Sequence, residues 1–168
     1  MNSQKKTASA AGIIAQLSFF ILFSPAGFAA EPSLRFDGTM IEPPPCVING
    51  GTPISVDFGN AVMTTRVDGV NYIKEVTYGL SCTEATSKTL RLQIKGSAAS
   101  FDSTRLATDK GDLAIALTAN GKALPVNQWL NYTDPSKPVL KAVPVKKTGA
   151  TLAGGAFKAT ATMMIDYQ

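Results

Sequence analysis

The residues best able to do covalent chemistry here are two cysteines, Cys46 and Cys82, in a chain of 168 residues with no histidine. Without an imidazole, Ser-His-Asp and Cys-His arrangements cannot be assembled. Two isolated thiols do not make a four-ligand metal site. They can oxidise each other in an oxidising compartment. Paired carboxylates could still act on a glycosidic bond. The nearest pair, Asp109 and Asp112, flanks Lys110-Gly111 and reads as a solvated turn. Gly154-Gly155 lacks the lysine that follows a phosphate loop, and it precedes a strand pattern rather than a helix. Trp129 and Tyr132 could form a platform for stacking a sugar. The plainer reading is a tryptophan packed under a loop near Pro125, Pro135 and Pro138. Asn131-Tyr132-Thr133 matches an N-glycosylation pattern that is common by chance. The chain therefore reads as no enzyme, with no cofactor, metal or small-molecule substrate expected.

Charge narrows the partners. The formal net charge is +4, and Lys5 and Lys6 lie in a leader. Those two lysines form a positive n-region, followed by an apolar stretch over residues 10–23. Gly27-Phe28-Ala29 then fits the small-x-small cleavage rule. Residues 1–29 are expected to be a signal peptide, and the remainder is expected to be exported to an oxidising compartment. There Cys46 and Cys82 are expected to form a disulfide. The other charges are scattered without a basic stripe, so nucleic acid is not an expected partner.

The elements that position these residues are short alternating runs separated by turn residues, the pattern of an all-β chain. Leu34, Phe36, Gly38 and Met40 alternate with polar residues. Pro43-Pro44-Pro45 then separates that run from Cys46. Ile54, Val56 and Phe58 alternate again. Residues 72–82 read as a strand whose apolar face is interrupted by Lys74. Residues 90–94 follow, then 113–117, which leads to a hairpin signal at Asn120-Gly121. Residues 139–145 are a further strand, with Pro144 suggesting an edge or an end. Residues 157–167 alternate most cleanly, stopping one residue before the C-terminus. About seven such strands fit an immunoglobulin-like β-sandwich.

Two features of this layout belong together. The first run sits ahead of a triple proline and is poorly placed to join its own sheet. The last run ends the chain, so no later strand pairs with its far edge. An unpaired edge recruits another strand. A spare strand at one end and a missing one at the other allow head-to-tail polymerisation by β-strand addition.

These residues resemble the pilin subunits of chaperone–usher fimbriae. The resemblance rests on the extension Leu34, Phe36, Gly38, Met40 followed by a cysteine, on the spacing of Cys46 and Cys82, and on the ending. There Gly155 stands fourteenth from the end and Tyr167 is penultimate. The resemblance implies an incomplete immunoglobulin-like β-sandwich that lacks its last strand and is completed by a donor strand. It implies a donor extension over residues 30–45 and a pilin domain over residues 46–168. Leu34, Phe36, Gly38 and Met40 would be donor side chains. Gly155, Phe157, Ala159, Ala161, Met163, Ile165, Tyr167 and Gln168 would line an acceptor groove and meet a chaperone. The implied partners are a periplasmic chaperone, an outer-membrane usher and neighbouring subunits, with passage through the periplasm to a surface fimbrium. The Cys46-Val-Ile-Asn-Gly-Gly and Gly154-Gly155-Ala-Phe157 stretches are most similar to minor tip adaptor subunits of P-type pili. A major shaft pilin and a secreted carbohydrate-binding sandwich are the alternatives.

Overall fold

The computed structural model describes residues 36–39, 46–82 and 87–168. The expected leader, Leu34 and Met40 lie outside the described residues. The chain divides into two units, Met1–Thr39 and Met40–Gln168. In the first, the described residues 36–39 carry no strand, and Phe36 is 86% exposed.

The described residues of the second unit are all-β apart from two short 3-10 segments. Its strands are β1 (Val47–Ile48), β2 (Lys74–Val76), β3 (Leu80–Ser81), β4 (Thr89–Gly96), β5 (Ala98–Ala99) and β6 (Asp102–Ala107). They continue with β7 (Leu113–Ala119), β8 (Lys122–Ala123), β9 (Trp129–Thr133), β10 (Leu140–Lys146) and β11 (Ala161–Tyr167). One sheet runs β2-β10-β7-β6-β5, with β8 also on β7; a second runs β11-β4-β9; β1 and β3 form a short ribbon. All pairings are antiparallel.

The alternation in sequence becomes the two faces of each sheet. Along β4, Leu90, Leu92 and Ile94 are buried, while Arg91, Gln93 and Lys95 face outward. Leu92 and Ile94 pack against Ala119 and Leu140 of the facing sheet, with Met163 and Ile165 of β11 alongside. Two sheets closing on a shared apolar layer make the sandwich. Gly96 ends β4 where a Cβ would come within 2.5 Å of Leu106 Cδ1 and 3.3 Å of the Thr160 carbonyl, so only a bare backbone passes. Asn120 and Gly121, both at positive φ, turn β7 into β8 as the sequence signalled.

Two expectations need correction. Residues 54–58 are not in a sheet ladder, although Ile54, Val56 and Phe58 are half-buried. Residues 72–82 are not one strand. They break into β2 and β3, with Tyr72 at a φ of 65°. Pro144 lies on an edge stretch of β10, as expected, opposite Ile115 of β7. It is tolerated because β2 covers only Leu140, Lys141 and Ala142, leaving β10 an edge beyond them. β6 and β9 were not read from the sequence. Polar and charged residues occupy much of both, so their alternation is weak.

Candidate functional site

The last strand has a neighbour on one side only. β11 pairs with β4 from Ala161↔Gly96 to Tyr167↔Leu90, and among the described residues no strand pairs with its other edge. The Gln168 N–H donates to the Thr89 carbonyl (3.0 Å), so even-numbered backbone groups face β4. Lys158 follows the same parity. Its carbonyl accepts from the Asp109 N–H (3.0 Å), and its N–H donates to Asp109 Oδ1 (2.9 Å). Backbone groups alternate sides along a strand. The N–H and C=O groups of odd-numbered residues therefore face the open edge, while their side chains face the core.

Beside that edge runs a groove in two joined lobes. The larger, of about 770 Å³, has residues 157–163 as one wall and residues 48–58 as the other. Its floor is core: Ile94, Leu106, Ile115, Leu117, Leu124 and Leu140. The smaller lobe, of about 690 Å³, continues past Gly155 and is lined by polar groups including Asp57, Asn60, Lys110 and Asp112. Val56, Phe58 and Phe157 line both lobes. Phe58 and Phe157 face each other with ring centroids 5.8 Å apart. Among the described residues, residues 54–58 pair with no strand. Both walls of the groove therefore lack ladder partners among the described residues.

The sequence-expected acceptor residues fall along this wall. Phe157, Met163, Ile165 and Tyr167 are half-buried, whereas Ala159 and Ala161 are exposed although they point to the core side. Apolar residues on the inward face that remain exposed are what an absent strand leaves. β11 begins at Ala161, so Phe157 and Ala159 belong to its unpaired approach rather than to the strand as expected. Gly155 holds a φ of 115°, a region that favours glycine; a Cβ there would sit 3.8 Å from Lys110 Nζ. Gln168 also donates from its side chain to the Leu90 carbonyl (3.3 Å).

Cys46 and Cys82 form the expected disulfide. It ties the segment before β1 to the one after β3, and the Tyr167 hydroxyl lies 3.5 Å from Cys46 Sγ.

The other sequence candidates separate. Trp129 is not under a proline loop: it stands on the outer face of β9, 37% exposed, with the Arg91 guanidinium 4.5 Å from its ring centroid. Tyr132 points inward against the core, so the two aromatics share no platform. Asp109 and Asp112 are exposed in the turn between β6 and β7. Asp109 clamps the β11 approach, and Asp112 sits 3.9 Å from Lys147. The Asp109 clamp left no trace in the sequence pattern, because it joins a turn to a segment 49 residues away.

A sandwich with an unpaired edge at β11 and a groove beside it is an immunoglobulin-like fold open on one side. The chain matches the fimbrial protein family over residues 34–168 and belongs to it, as a subunit of chaperone–usher fimbriae. It is 40% identical over 131 residues, 75% of each chain, to the uncharacterized fimbrial-like protein YfcR of Escherichia coli K12. Among solved structures it resembles the P pilus rod subunit PapA, with a TM-score of 0.63 and 25% identity over 74% of this chain and all of that one. It also resembles the P pilus adaptor subunit PapF, with a TM-score of 0.55 and 26% identity over 76% of this chain and 98% of that one. Such a subunit is a structural component of a surface pilus and contacts other pilus subunits.

Proposed function

We propose that this chain is a pilus subunit that both accepts and donates a strand, exported behind a leader over residues 1–29. In the periplasm a chaperone fills the groove. At an outer-membrane usher, the extension of the next subunit replaces it. The observation that carries the reading is the pair of unladdered walls, residues 54–58 and the open edge of β11, facing each other over a floor of core side chains.

The donor would come from residues 30–45, with Leu34, Phe36, Gly38 and Met40 facing the floor. Pro32 and Pro43 bracket residues 33–42, the stretch that keeps every backbone N–H and can extend a ladder. Each new backbone bond contributes about 0.5–1.5 kcal/mol net. Burying Leu34, Phe36 and Met40 adds about 1.5–3 kcal/mol apiece. The wall residues Gly155, Phe157, Ala159, Ala161, Met163, Ile165 and Tyr167 would meet chaperone and donor in turn. Gln168 would meet the chaperone at the end of that wall.

Within the pilus we assign a minor tip adaptor role that supports adhesion. Its support is the likeness of the Cys46-Val-Ile-Asn-Gly-Gly and Gly154-Gly155-Ala-Phe157 stretches to adaptor subunits. The second reading is a major shaft pilin, favoured by the fit to a rod subunit.

The test is periplasmic expression of the full chain with and without its chaperone, beside a chain lacking residues 30–42. A chaperone-dependent yield and a one-to-one complex are expected for both, with onward polymerisation lost only in the shortened chain. A stable, chaperone-independent monomer with a cooperative melt would sink the reading. Immunogold labelling separates the roles: one cluster at the filament tip for an adaptor, label along the length for a shaft pilin.

A further inference from the structure

The outer face of the three-stranded sheet points away from the core, and its side chains stand in rows. Register places Asp166, Arg91 and Asn131 side by side across β11, β4 and β9, with Met164, Gln93 and Trp129 as the next row. None of these residues lines the groove, so a strand held there does not occupy them. Arg91 Nε donates to Asp166 Oδ2 (3.0 Å), and Nη2 bonds the same oxygen. That pair fixes the guanidinium, which lies over one face of the Trp129 indole, 4.5 Å from the ring centroid. The indole is thus held from one side and remains 37% exposed. Gln93 is held as well: its Nε2 donates to the Asn127 carbonyl (2.8 Å). Among the described residues three polar groups beside the ring stay unspent: the exposed Asn131 amide, Gln93 Oε1 and Arg91 Nη1.

A protein partner fits this face poorly. A stable protein interface buries roughly 800 Å² on each side around an apolar core. Of the outward residues on these three strands only Trp129 and Met164 are apolar, and each is little more than one-third exposed. A sugar asks for what is present. One side of a pyranose is lined by C–H bonds and packs on an aromatic ring. Its hydroxyls both donate and accept, which matches an amide that does both, a carbonyl acceptor and a guanidinium donor. We propose that this face binds a glycan, with a pyranose ring stacked on the part of Trp129 that Arg91 leaves open. The sugar hydroxyls bond Asn131, Gln93 Oε1 and Arg91 Nη1. Tyr132, on the inward side of β9, takes no part. Arg91 and Gln93 are already held in place, so little side-chain freedom is lost when the sugar arrives. The site goes beyond the assembly role and does not depend on strand donation.

The experiment uses the full chain, purified from the periplasm in the state in which it assembles there. It is applied to immobilised neutral and sialylated oligosaccharides, and to mucin before and after removal of its glycans. Binding to at least one set of oligosaccharides is expected, and the set that binds identifies the sugar. Trp129 is the single tryptophan, so titration with the soluble form of a bound oligosaccharide should shift its emission. Trp129→Ala should weaken binding about tenfold, and Trp129→Phe should recover part of that loss. Asn131→Ala should weaken it about fivefold. Asn131 is exposed and makes no hydrogen bond among the described residues, so that variant should melt like wild type and separates lost binding from lost folding. A wild-type chain that binds none of the oligosaccharides overturns the proposal. So does binding that Trp129→Ala and Asn131→Ala both leave intact. Mucin binding that survives removal of the glycans means that polypeptide is recognised, and it overturns the proposal too.

Discussion

Tyr78 and Tyr132 sit in the same apolar layer and differ in one contact. The Tyr78 hydroxyl donates to the Pro138 carbonyl at 2.7 Å, while the Tyr132 hydroxyl is buried with no hydrogen-bond partner among the described residues. Tyr78→Phe removes a satisfied bond and leaves a buried carbonyl wanting, so a loss of about 1 kcal/mol is expected in denaturant melts. Tyr132→Phe removes only an unpartnered hydroxyl, so stability should hold or rise. Equal losses for both would contradict the contrast. Burial pushes both phenols up to about 12 from the ordinary 10. A raised folded value means the neutral phenol is favoured in the fold. That contribution is present below pH 10 and is lost as pH climbs toward 12, visible as tyrosinate absorbance coupled to unfolding. The carboxylates act in the opposite sense. Arg91 holds Asp166 below the usual carboxylate range, and Thr104 with Arg105 brings Asp102 down to about 2. Their contribution is present above about pH 4 and fades as pH falls toward 2. Asp166→Asn should therefore flatten the acid limb of the stability curve. An unchanged limb would show that this exposed pair adds nothing measurable.

The elements carry the disulfide and the groove wall, and they show how far the sequence could be read. The Cys46–Cys82 bridge spans 36 residues, a loop for which chain entropy gives roughly 3–4 kcal/mol. Reduction, or Cys46→Ala with Cys82→Ala, should lower the unfolding free energy of a donor-filled subunit by about that amount. A change under about 1 kcal/mol would mean that the denatured chain is already constrained. β4 and β11 were legible from period-two alternation in sequence, and β7 and β10, buried along nearly their whole length, from short apolar runs. β9 was not, because Trp129, Asn131 and Thr133 face outward and mix an aromatic with polar side chains. The stretch over residues 54–58 shows the reverse case: its alternation is real, but a strand needs a bonded neighbour, and alternation cannot report that the neighbour is missing. Likewise the line of Phe157 to Tyr167 was readable from its odd positions, whereas Lys110 was not. Its place at the groove depends on a turn clamped to a distant segment by Asp109.

At the scale of the whole molecule, the incomplete sandwich predicts that stability is borrowed. Ile94, Leu106, Ile115 and Leu124 belong to the core, yet they floor an open groove. A segment that binds only the folded chain stabilises it by mass action, by about 2.7 kcal/mol at a hundred times its dissociation constant. A synthetic peptide of residues 30–45 should therefore raise the melting temperature of the subunit with rising concentration. The same peptide carrying Phe36→Asp should not, because it would bury a charge against that floor. Trp129 supplies an internal control. It is the single tryptophan, it stands on the outer face, and its ring is stacked beneath Arg91 rather than lining the groove. Peptide binding should move the melting temperature while leaving tryptophan fluorescence nearly unchanged. A large fluorescence change with no gain in stability would place the peptide on the outer face of β4 and β9 and remove the groove from the assembly reaction. A gain in stability with steady fluorescence ties assembly to the gap beside β11. It would also make the open edge, dangerous in a finished protein, the part of the fold that assembly requires to remain unfinished.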